Sequence, residues 1–262
     1  MKLVPITRDT HAKLRLRPLS SFLFVGETAA VSLYGSEALR AAHEFPVVFT
    51  AEAEGYFPAG LLGLRNGQNL FVDSRGRWLV DYIPAVWRRG AFRLARLQDS
   101  DDRVLCLDET SDLISSSDGE PIYDEDGAPT AILDQAGRFL VQLEREGAAT
   151  LAACAALDRL GLIVPFALKV NRSRGTAQTV SGLFRIDIAK LSQVPADRLA
   201  ELLTLGALPL AYAHQFSLHK LAALGRLAAE REEEESRRQA LTQGKLNLDQ
   251  VFGIVEDDPF IF

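Results

Sequence analysis

The first third of the chain alternates short apolar runs with glycine-centred turns, a pattern typical of antiparallel β-structure. Residues 47–49 form a β-branched and aromatic run that indicates a buried strand. Asn66-Gly67 lies between two further apolar runs, and both residues tolerate the positive φ angles of a type I′ hairpin turn. A second turn follows at residues 73–76. The pattern predicts a three-strand antiparallel meander over residues 61–82.

Two more pairs of strands are predicted further along the chain. The first pair covers residues 91–98 and 103–108, and the second covers residues 162–170 and 176–186. Between these pairs, residues 111–130 are acidic, polar and rich in turn residues, with one short apolar island at residues 121–123. We expect this segment to be a loop that joins the two halves of the chain.

The second half of the chain changes to a helical period. Thr130 is expected to cap a helix that runs to about Glu146, with its apolar side chains on one face. Gly147 permits a break, and a second helix is predicted over residues 148–160. Gly161 then follows in the position where glycine is favoured after a helix end.

The last part of the chain is predicted to be helical and then apolar. One helix covers residues 192–204, and a long helix covers residues 208–238 and becomes strongly charged near its end. The closing residues include Phe260, Ile261 and Phe262. Because exposed chain ends are usually polar, we expect these three side chains to dock in an apolar groove. The groove would belong to the same copy or to a second copy, which would make the protein a homo-oligomer.

Together these elements predict an α+β protein, in which an N-terminal half rich in antiparallel meander packs with helices from the C-terminal half. We expect one domain over residues 1–228. Residues 229–262 would add a charged helical extension and the apolar tail.

Composition and charge narrow the classes of partner. The chain has 262 residues, of which 47% are hydrophobic, so it can bury a sizeable core. Its net charge of −6 argues against a general affinity for nucleic acid or anionic membranes. A local basic patch contains Arg88, Arg89, Arg93 and Arg96, and without an accompanying aromatic or glycine pattern a solvated face is the favoured interpretation.

The expected location is the cytoplasm. The start of the chain lacks the apolar region of a secretory signal, and no stretch approaches the ~18 uninterrupted apolar residues of a membrane helix. The two cysteines, Cys106 and Cys154, fit buried free thiols, although a disulfide between them stays open.

No motif nominates a catalytic residue, a metal ligand or a cofactor. His214 and His219 are five positions apart, which places them about 140° apart on a helix instead of on one face. The acidic turns around Asp118 and Asp124 do not match the ligand spacing of a calcium loop. A nucleophile elbow, a Walker loop and a dinucleotide fingerprint are all missing from the sequence.

A group of aromatic residues lies between Phe45 and Trp87, and it includes both tryptophans. Tryptophan and tyrosine are enriched where proteins hold partners, so a ligand-binding groove is one interpretation. Its candidate residues are Tyr56, Trp78, Tyr82 and Trp87. The alternative is that these side chains form the core of the sheet, and both interpretations stay open.

Several ordered phrases resemble those of the bacterial SapC family over about residues 1–228. They include Leu61-Leu62-Gly63-Leu64, Asn69-Leu70-Phe71-Val72, Gly182-Leu183-Phe184-Arg185-Ile186-Asp187 and Leu210-Ala211-Tyr212-Ala213. The family is named for a member associated with a bacterial surface-layer gene cluster, and relatives are encoded near TonB-dependent receptors. The resemblance implies a part in handling or modifying a peptide or a small nutrient, and it supplies no catalytic residues.

The first hypothesis is therefore a non-enzymatic accessory protein of a surface-layer or outer-membrane nutrient-uptake system, which binds a peptide or protein partner. The alternatives are an enzyme that modifies a peptide or small molecule, with or without a metal, and a structural component of the surface layer.

Overall fold

The computed structural model describes residues 2–96, 102–170 and 178–251. The strands are β1 (Leu3–Pro5), β2 (Arg15–Leu16), β3 (Ala30–Ser32), β4 (Val47–Glu52), β5 (Gly55–Leu61), β6 (Phe92–Arg96), β7 (Arg103–Asp108), β8 (Ile114–Ser115), β9 (Glu120–Pro121), β10 (Ile163–Val170) and β11 (Gln178–Ile186). The helices are α1 (Arg8–His11), α2 (Ala38–Glu44), α3 (Ala85–Arg88), α4 (Ala131–Arg159), α5 (Ile188–Leu191), α6 (Ala196–Thr204), α7 (Ala207–Ser217) and α8 (Lys220–Val251). The predicted α+β class is confirmed.

The main sheet draws strands from both halves of the chain. Its order is β10-β11-β4-β5-β3, and each neighbouring pair is antiparallel. β4 and β5 form a tight hairpin in which Glu52 lies opposite Gly55, whose φ of 123° suits glycine. The strand predictions at β4, β6, β7, β10 and β11 are confirmed where residues are described. Residues 97–101 and 171–177 lie outside the described residues.

The meander predicted over residues 61–82 is wrong. β5 ends at Leu61, and residues 62–82 form one isolated antiparallel bridge, between Val72 and Trp78, and no strand. Gly67 has the positive φ of a turn, 74°, but strands do not flank it. The apolar residues of this segment enter the core from a loop.

Asn69 explains why this loop needs no strand partner. The side chain is buried, and its amide donates to the carbonyl oxygen of Val25 at 3.0 Å. Its own amide oxygen accepts from the backbone N–H of Phe71 at 2.9 Å. A side chain that satisfies buried backbone groups replaces the hydrogen bonds of a ladder.

Two small sheets lie beside the main one. β1, β7 and β6 form one of them, and β8, β2 and β9 form the other. The segment 111–130, predicted as a loop, thus supplies the strands β8 and β9 that flank β2. Its apolar island is anchored by Ile122, which is fully buried.

Helix α4 is a single element of 29 residues, so the predicted break at Gly147 is wrong. Gly147 lies within the helix beside Tyr34, and a Cβ at this position would make an ordinary contact of 3.5 Å with the Tyr34 ring. One turn later, the hydroxyl of Thr150 accepts from the N–H of Gly35 at 2.8 Å and donates to the carbonyl of Glu146 at 2.6 Å. Gly161 follows the helix with φ 60°, as predicted.

The long helix predicted over residues 208–238 is two helices, α7 and α8, because the chain turns at Leu218 and His219. The ring nitrogen Nδ1 of His219 contacts the carbonyl oxygen of Phe216, which lies in the last turn of α7. A side chain that bonds a terminal carbonyl satisfies a group that the helix itself leaves unpaired.

The apolar side chains form two separate cores. The first lies under the main sheet and contains Phe45, Phe49, Leu62, Leu157 and Leu210, among others. The second lies under the small sheets and contains Phe92, Leu107, Ile122, Leu133 and Leu140. Helix α4 joins them, since its first half packs in the second core and its second half packs in the first.

Both cysteines are buried and free, as the favoured interpretation held. Burial raises the pKa of the Cys154 thiol to about 12, so this thiol is protonated and unreactive at neutral pH. Among the described residues, the helices all lack the length or the apolar character that crossing a bilayer requires.

His214 joins two strands of the main sheet where they separate. β11 pairs with β4 only at Leu183 and Phe184. Past that point, Nε2 of His214 accepts from the N–H of Ile186 at 3.3 Å, while its Nδ1 lies 2.7 Å from the carbonyl oxygen of Val47. The imidazole is fully buried, and this pattern requires a neutral ring with the proton on Nδ1.

His214 therefore makes stability depend on pH. Burial, with the nearby Arg185 charge, lowers its pKa from 6.5 to about 4, although the bond to Val47 opposes the shift. The unfolded chain binds this proton first as pH falls, so stability is complete above pH 6.5 and is lost progressively towards pH 4. We expect a loss of about 3 kcal/mol over that window. Urea unfolding of the wild type and His214→Gln at several pH values measures it.

The difference between the two proteins isolates His214, because the other titrating groups are common to both. Equal pH slopes for the wild type and His214→Gln would contradict the prediction. If the variant does not fold, an NMR titration of the His214 ring in the wild type decides the question directly. A ring that titrates near 6.5 would contradict the prediction equally.

Candidate functional site

Three of the four aromatic residues predicted to form a groove lie together. The rings of Trp78 and Trp87 meet edge to face at a centroid distance of 5.2 Å, and Phe22 packs against both. The indole Nε1 of Trp78 donates to the carbonyl oxygen of Tyr82 at 2.9 Å. Trp87 is buried and belongs to the first core, whereas Trp78 and Tyr82 are partly buried at its edge.

Tyr56 packs with a different residue. It lies on β5, and its ring contacts Phe184 on β11 at a centroid distance of 4.8 Å. Within the described residues, ring contacts do not connect Tyr56 with the two tryptophans. The ligand-binding role of Tyr56, Trp78, Tyr82 and Trp87 stays a prediction.

Glu37 is a buried carboxylate beside this aromatic group, at the beginning of α2. Its side chain is 5% exposed. One carboxylate oxygen, Oε2, accepts from the hydroxyl of Tyr82 at 2.8 Å and from the N–H of Ala85 at 3.1 Å. The guanidinium of Arg88 lies 3.7 Å from the same oxygen. These donors stabilise a charge that would otherwise be costly to bury.

The electrostatics of this group follow from burial. Burial raises the pKa of Glu37, while the bonds from Tyr82 and Ala85 and the charge of Arg88 lower it in part. Burial and the carboxylate of Glu37 raise the pKa of Tyr82, so its hydroxyl keeps its proton and acts as a donor. The sequence contained no sign of this role, since Glu37 had the pattern of an ordinary acid near a helix start.

Arg88 reaches out of the core towards helix α4. Its Nε donates to the carbonyl oxygen of Ile83 at 3.0 Å. Its guanidinium lies 5.4 Å from the ring centre of Phe139 and 5.9 Å from that of Tyr82. Cations are attracted to aromatic faces at such distances. The side chain is thereby held across the gap between α3 and α4.

A cleft of about 440 Å³ opens at this gap, between the two cores. It is lined by Leu16, Arg17, Pro18, Leu19, Arg88, Arg89, Gly90, Phe92, Leu113, Ile132, Gln135, Ala136, Phe139 and Leu140. The polar side chains among them are three arginines and one glutamine, and carboxylates are missing from the lining that is described. An apolar wall with several guanidinium groups is suited to an anion that carries an apolar body.

The three arginines differ in how their charges are balanced. Arg17 pairs with Asp118 at 3.3 Å, and Arg88 lies near Glu37. Within the described residues, Arg89 has no carboxylate partner, and its Nε is enclosed without any hydrogen-bond acceptor. An enclosed donor without an acceptor is rare in native structures and needs an explanation.

The positive potential of Arg89 is also felt by its neighbours. Burial lowers the pKa of Arg93, and the charge of Arg89 lowers it further. Burial raises the pKa of Tyr34, while the charge of Arg89 opposes that rise. Both effects have the sign expected for a concentrated positive charge at this end of the cleft.

Around His11, a hydroxyl group, an imidazole and a carboxylate lie near one another, as they do in a catalytic triad. Its Nδ1 lies 2.6 Å from the hydroxyl of Thr10, and its Nε2 lies 3.6 Å from a carboxylate oxygen of Glu109. The second distance is too long for a hydrogen bond. Nδ1 also accepts from the N–H of Thr7 at 3.2 Å, which fixes the ring within the α1 turn. This arrangement stabilises the turn and nominates no nucleophile.

Side chains that could bind a metal do not form a cluster among the described residues either. Over the described residues, no group of three or more histidine, cysteine, aspartate or glutamate side chains could hold a metal ion. His214 lies on α7 and His219 lies in the turn after it, and each contacts a different backbone carbonyl oxygen.

Replacing Glu37 by alanine tests its role in the site. Glu37→Ala leaves the hydroxyl of Tyr82 and the N–H of Ala85 without their acceptor, so we expect a loss of about 1–3 kcal/mol in the free energy of unfolding. Glu37→Gln keeps an acceptor and should cost less. Urea unfolding of both variants, alone and combined with Tyr82→Phe, measures the coupling between the two residues. A Glu37→Ala protein as stable as the wild type would contradict the assignment.

Comparisons with known proteins give one match. A family model, described as SapC, matches residues 6–224. Neither the curated proteins nor the solved structures contain a match to the chain. The matched range covers the main sheet, both cores and the cleft. The chain therefore belongs to the SapC family.

Proposed function

We propose that this protein is a non-enzymatic binding protein that holds a segment of a peptide or protein partner in the cleft between α3 and α4. The observation that supports the proposal is the half-buried Arg89 in an apolar cleft, whose Nε is enclosed without a hydrogen-bond acceptor. A bound carboxylate or phosphate would supply the missing acceptor. The apolar body of the ligand would cover the wall formed by the second core.

The chemistry of the lining favours binding over catalysis. A guanidinium stays protonated at any physiological pH, so it cannot serve as a general base or as a nucleophile. The other polar side chain, that of Gln135, is neutral and does not titrate. Such a set of groups can orient an anion and neutralise it, which is the task of a recognition site.

The dimensions of the cleft suit a short segment of chain. Its volume of about 440 Å³ lies within the range of about 300–1000 Å³ for pockets that enclose small ligands. Leu16, Leu113 and Phe139 contribute apolar surface to its lining. Two or three side chains of a peptide would fill this space, with an acidic side chain against the arginines.

In this proposal the aromatic residues predicted to bind a ligand do not line the cleft themselves. Three of them hold the segment that carries its arginines. Trp87 directly precedes the two arginines and is anchored in the first core, so it fixes the base of α3. Tyr82 lies beside Arg88 and bonds to Glu37, and these contacts orient the guanidinium towards the cleft. Trp78 supports both, and Tyr56 lies outside the cleft lining.

The biological setting is the one that the SapC resemblance implies. We propose that the partner belongs to a bacterial surface-layer or outer-membrane nutrient-uptake system. A stretch of such a protein that combines acidic and large apolar residues would meet the requirements of the cleft.

Peptide display tests the proposal without knowledge of the partner. Random heptapeptides are selected against the wild type, against Arg89→Gln and against a control, Arg145→Gln, which removes an exposed arginine elsewhere on α4. We expect wild type and control to enrich peptides in which Asp or Glu lies beside a large apolar residue. Arg89→Gln should bind these peptides about tenfold more weakly, because it removes a charged hydrogen bond.

The stability of Arg89→Gln provides the internal check. Because Arg89 is enclosed without an acceptor, its replacement should leave the melting temperature unchanged or raise it. Failure to enrich acidic-apolar peptides, or equal binding by Arg89→Gln, would contradict the proposal.

A further inference from the structure

Residues 252–262, the tail segment, have the composition that the cleft selects. The tail contains Glu256, Asp257 and Asp258, and three large apolar residues follow after Pro259. The cleft has the complementary arrangement, three arginines beside an apolar wall. We propose that the tail segment of this chain occupies the cleft and competes there with the partner. This inference rests on the cleft being a binding site, as proposed above.

Charge complementarity is the first argument for this occupant. The whole chain is acidic, with a net charge of −6, yet the lining of the cleft is cationic. The tail carries three carboxylates and has no lysine or arginine. Acidic side chains of the tail would provide Arg89 with the acceptor that the described residues do not supply.

Apolar complementarity is the second argument. Phe260, Ile261 and Phe262 are large apolar side chains that stable proteins seldom leave in water. The cleft offers the apolar surfaces of Leu113 and of second-core residues such as Leu16 and Phe139 beside the arginines. The sequence had predicted that these three residues dock in an apolar groove, and the structure offers one whose charge also fits the residues before them.

The length of the chain permits this docking. Glu235 on α8 forms a bidentate bond to Arg65 on the body of the protein, with distances of 2.7 and 2.8 Å. From Glu235 to Val251 the helix continues for 16 residues, or about 24 Å. The 11 residues of the tail segment can span about 36 to 40 Å when fully extended. Because the extended tail is longer than this part of the helix, it can return past Glu235 to the body of its own copy or extend to a neighbouring copy.

Peptide binding to the full-length protein tests the inference. The probe is a fluorescent, amidated peptide of residues 252–262, so that only its side chains carry negative charge. The recipients are the wild type and a full-length variant with Phe260, Ile261 and Phe262 all changed to alanine. We expect the variant to bind the peptide about tenfold more tightly, because its own tail no longer competes.

Two controls connect the binding to the cleft. Adding Arg89→Gln to the alanine variant should weaken peptide binding about tenfold, whereas adding Arg145→Gln should not change it. A second peptide carries Glu256→Gln, Asp257→Asn and Asp258→Asn. It should bind the alanine variant about as weakly as the original peptide binds the alanine variant that also carries Arg89→Gln. Fluorescence anisotropy measures each affinity, and circular dichroism verifies that each variant is folded.

The outcomes separate this inference from the proposed function. Equal peptide affinity for the wild type and the alanine variant, or binding that ignores Arg89→Gln, would overturn the inference. If the selected heptapeptides still bind through Arg89 in that case, the cleft remains a binding site for another partner. If neither kind of peptide binds, the proposed function fails as well. Light scattering then assigns a confirmed interaction to one copy or to two.

Discussion

The buried carboxylate of Glu37 is the constraint on which the geometry of the site depends. A carboxylate inside a protein is stable only when donors surround it, and here the donors come from a distant segment, residues 82–88. Satisfying Glu37 therefore fixes that segment against the beginning of α2. Arg88 ends this segment and Arg89 directly follows it, so the buried acid helps to set where both arginines border the cleft. One wall of the cleft therefore depends on how this buried charge is satisfied.

A second buried polar side chain connects two backbone segments in the main sheet. His214 accepts from β11 and donates to β4 where the two strands no longer pair. Helix α4 connects the sheet with the second core, so the two halves of the molecule are joined by one rigid element. The cleft opens beside the first half of α4, at the boundary of the two cores, where the side chains of neither core fill the space completely.

Much of the fold could be predicted from local sequence patterns. Strands β4, β6, β7, β10 and β11 follow their apolar runs, and Gly161 ends α4 as expected. The errors came from tertiary contacts that a local pattern does not contain. Asn69 satisfies backbone groups that a hairpin would have paired, and α4 continues through Gly147 while its two halves pack in different cores. The turn between α7 and α8 also depends on a side-chain contact, because His219 contacts the carbonyl oxygen of Phe216 at the end of α7.

The candidate site was accessible to sequence only in part. Arg88 and Arg89 belong to the predicted basic patch, for which a solvated face was the favoured interpretation because no aromatic or glycine pattern accompanies it. In the structure the Arg88 guanidinium lies near the rings of Tyr82 and of Phe139, and Phe139 is about fifty positions away on α4. Much of the apolar wall comes from β2 and α4. Glu37 could not be distinguished from a surface acid, since burial is a property of the assembled fold. A single sequence does not show which distant residues come together in the folded protein.

The most direct measurement is a crystal structure of the full-length protein, purified and crystallised without added anions. The account predicts density for a carboxylate or phosphate oxygen within hydrogen-bond distance of Arg89 Nε, continuous with an apolar group against Leu113 and Phe139. An Arg89 side chain bonded to a carboxylate of the folded domain itself, beside a cleft that contains only water, would contradict it.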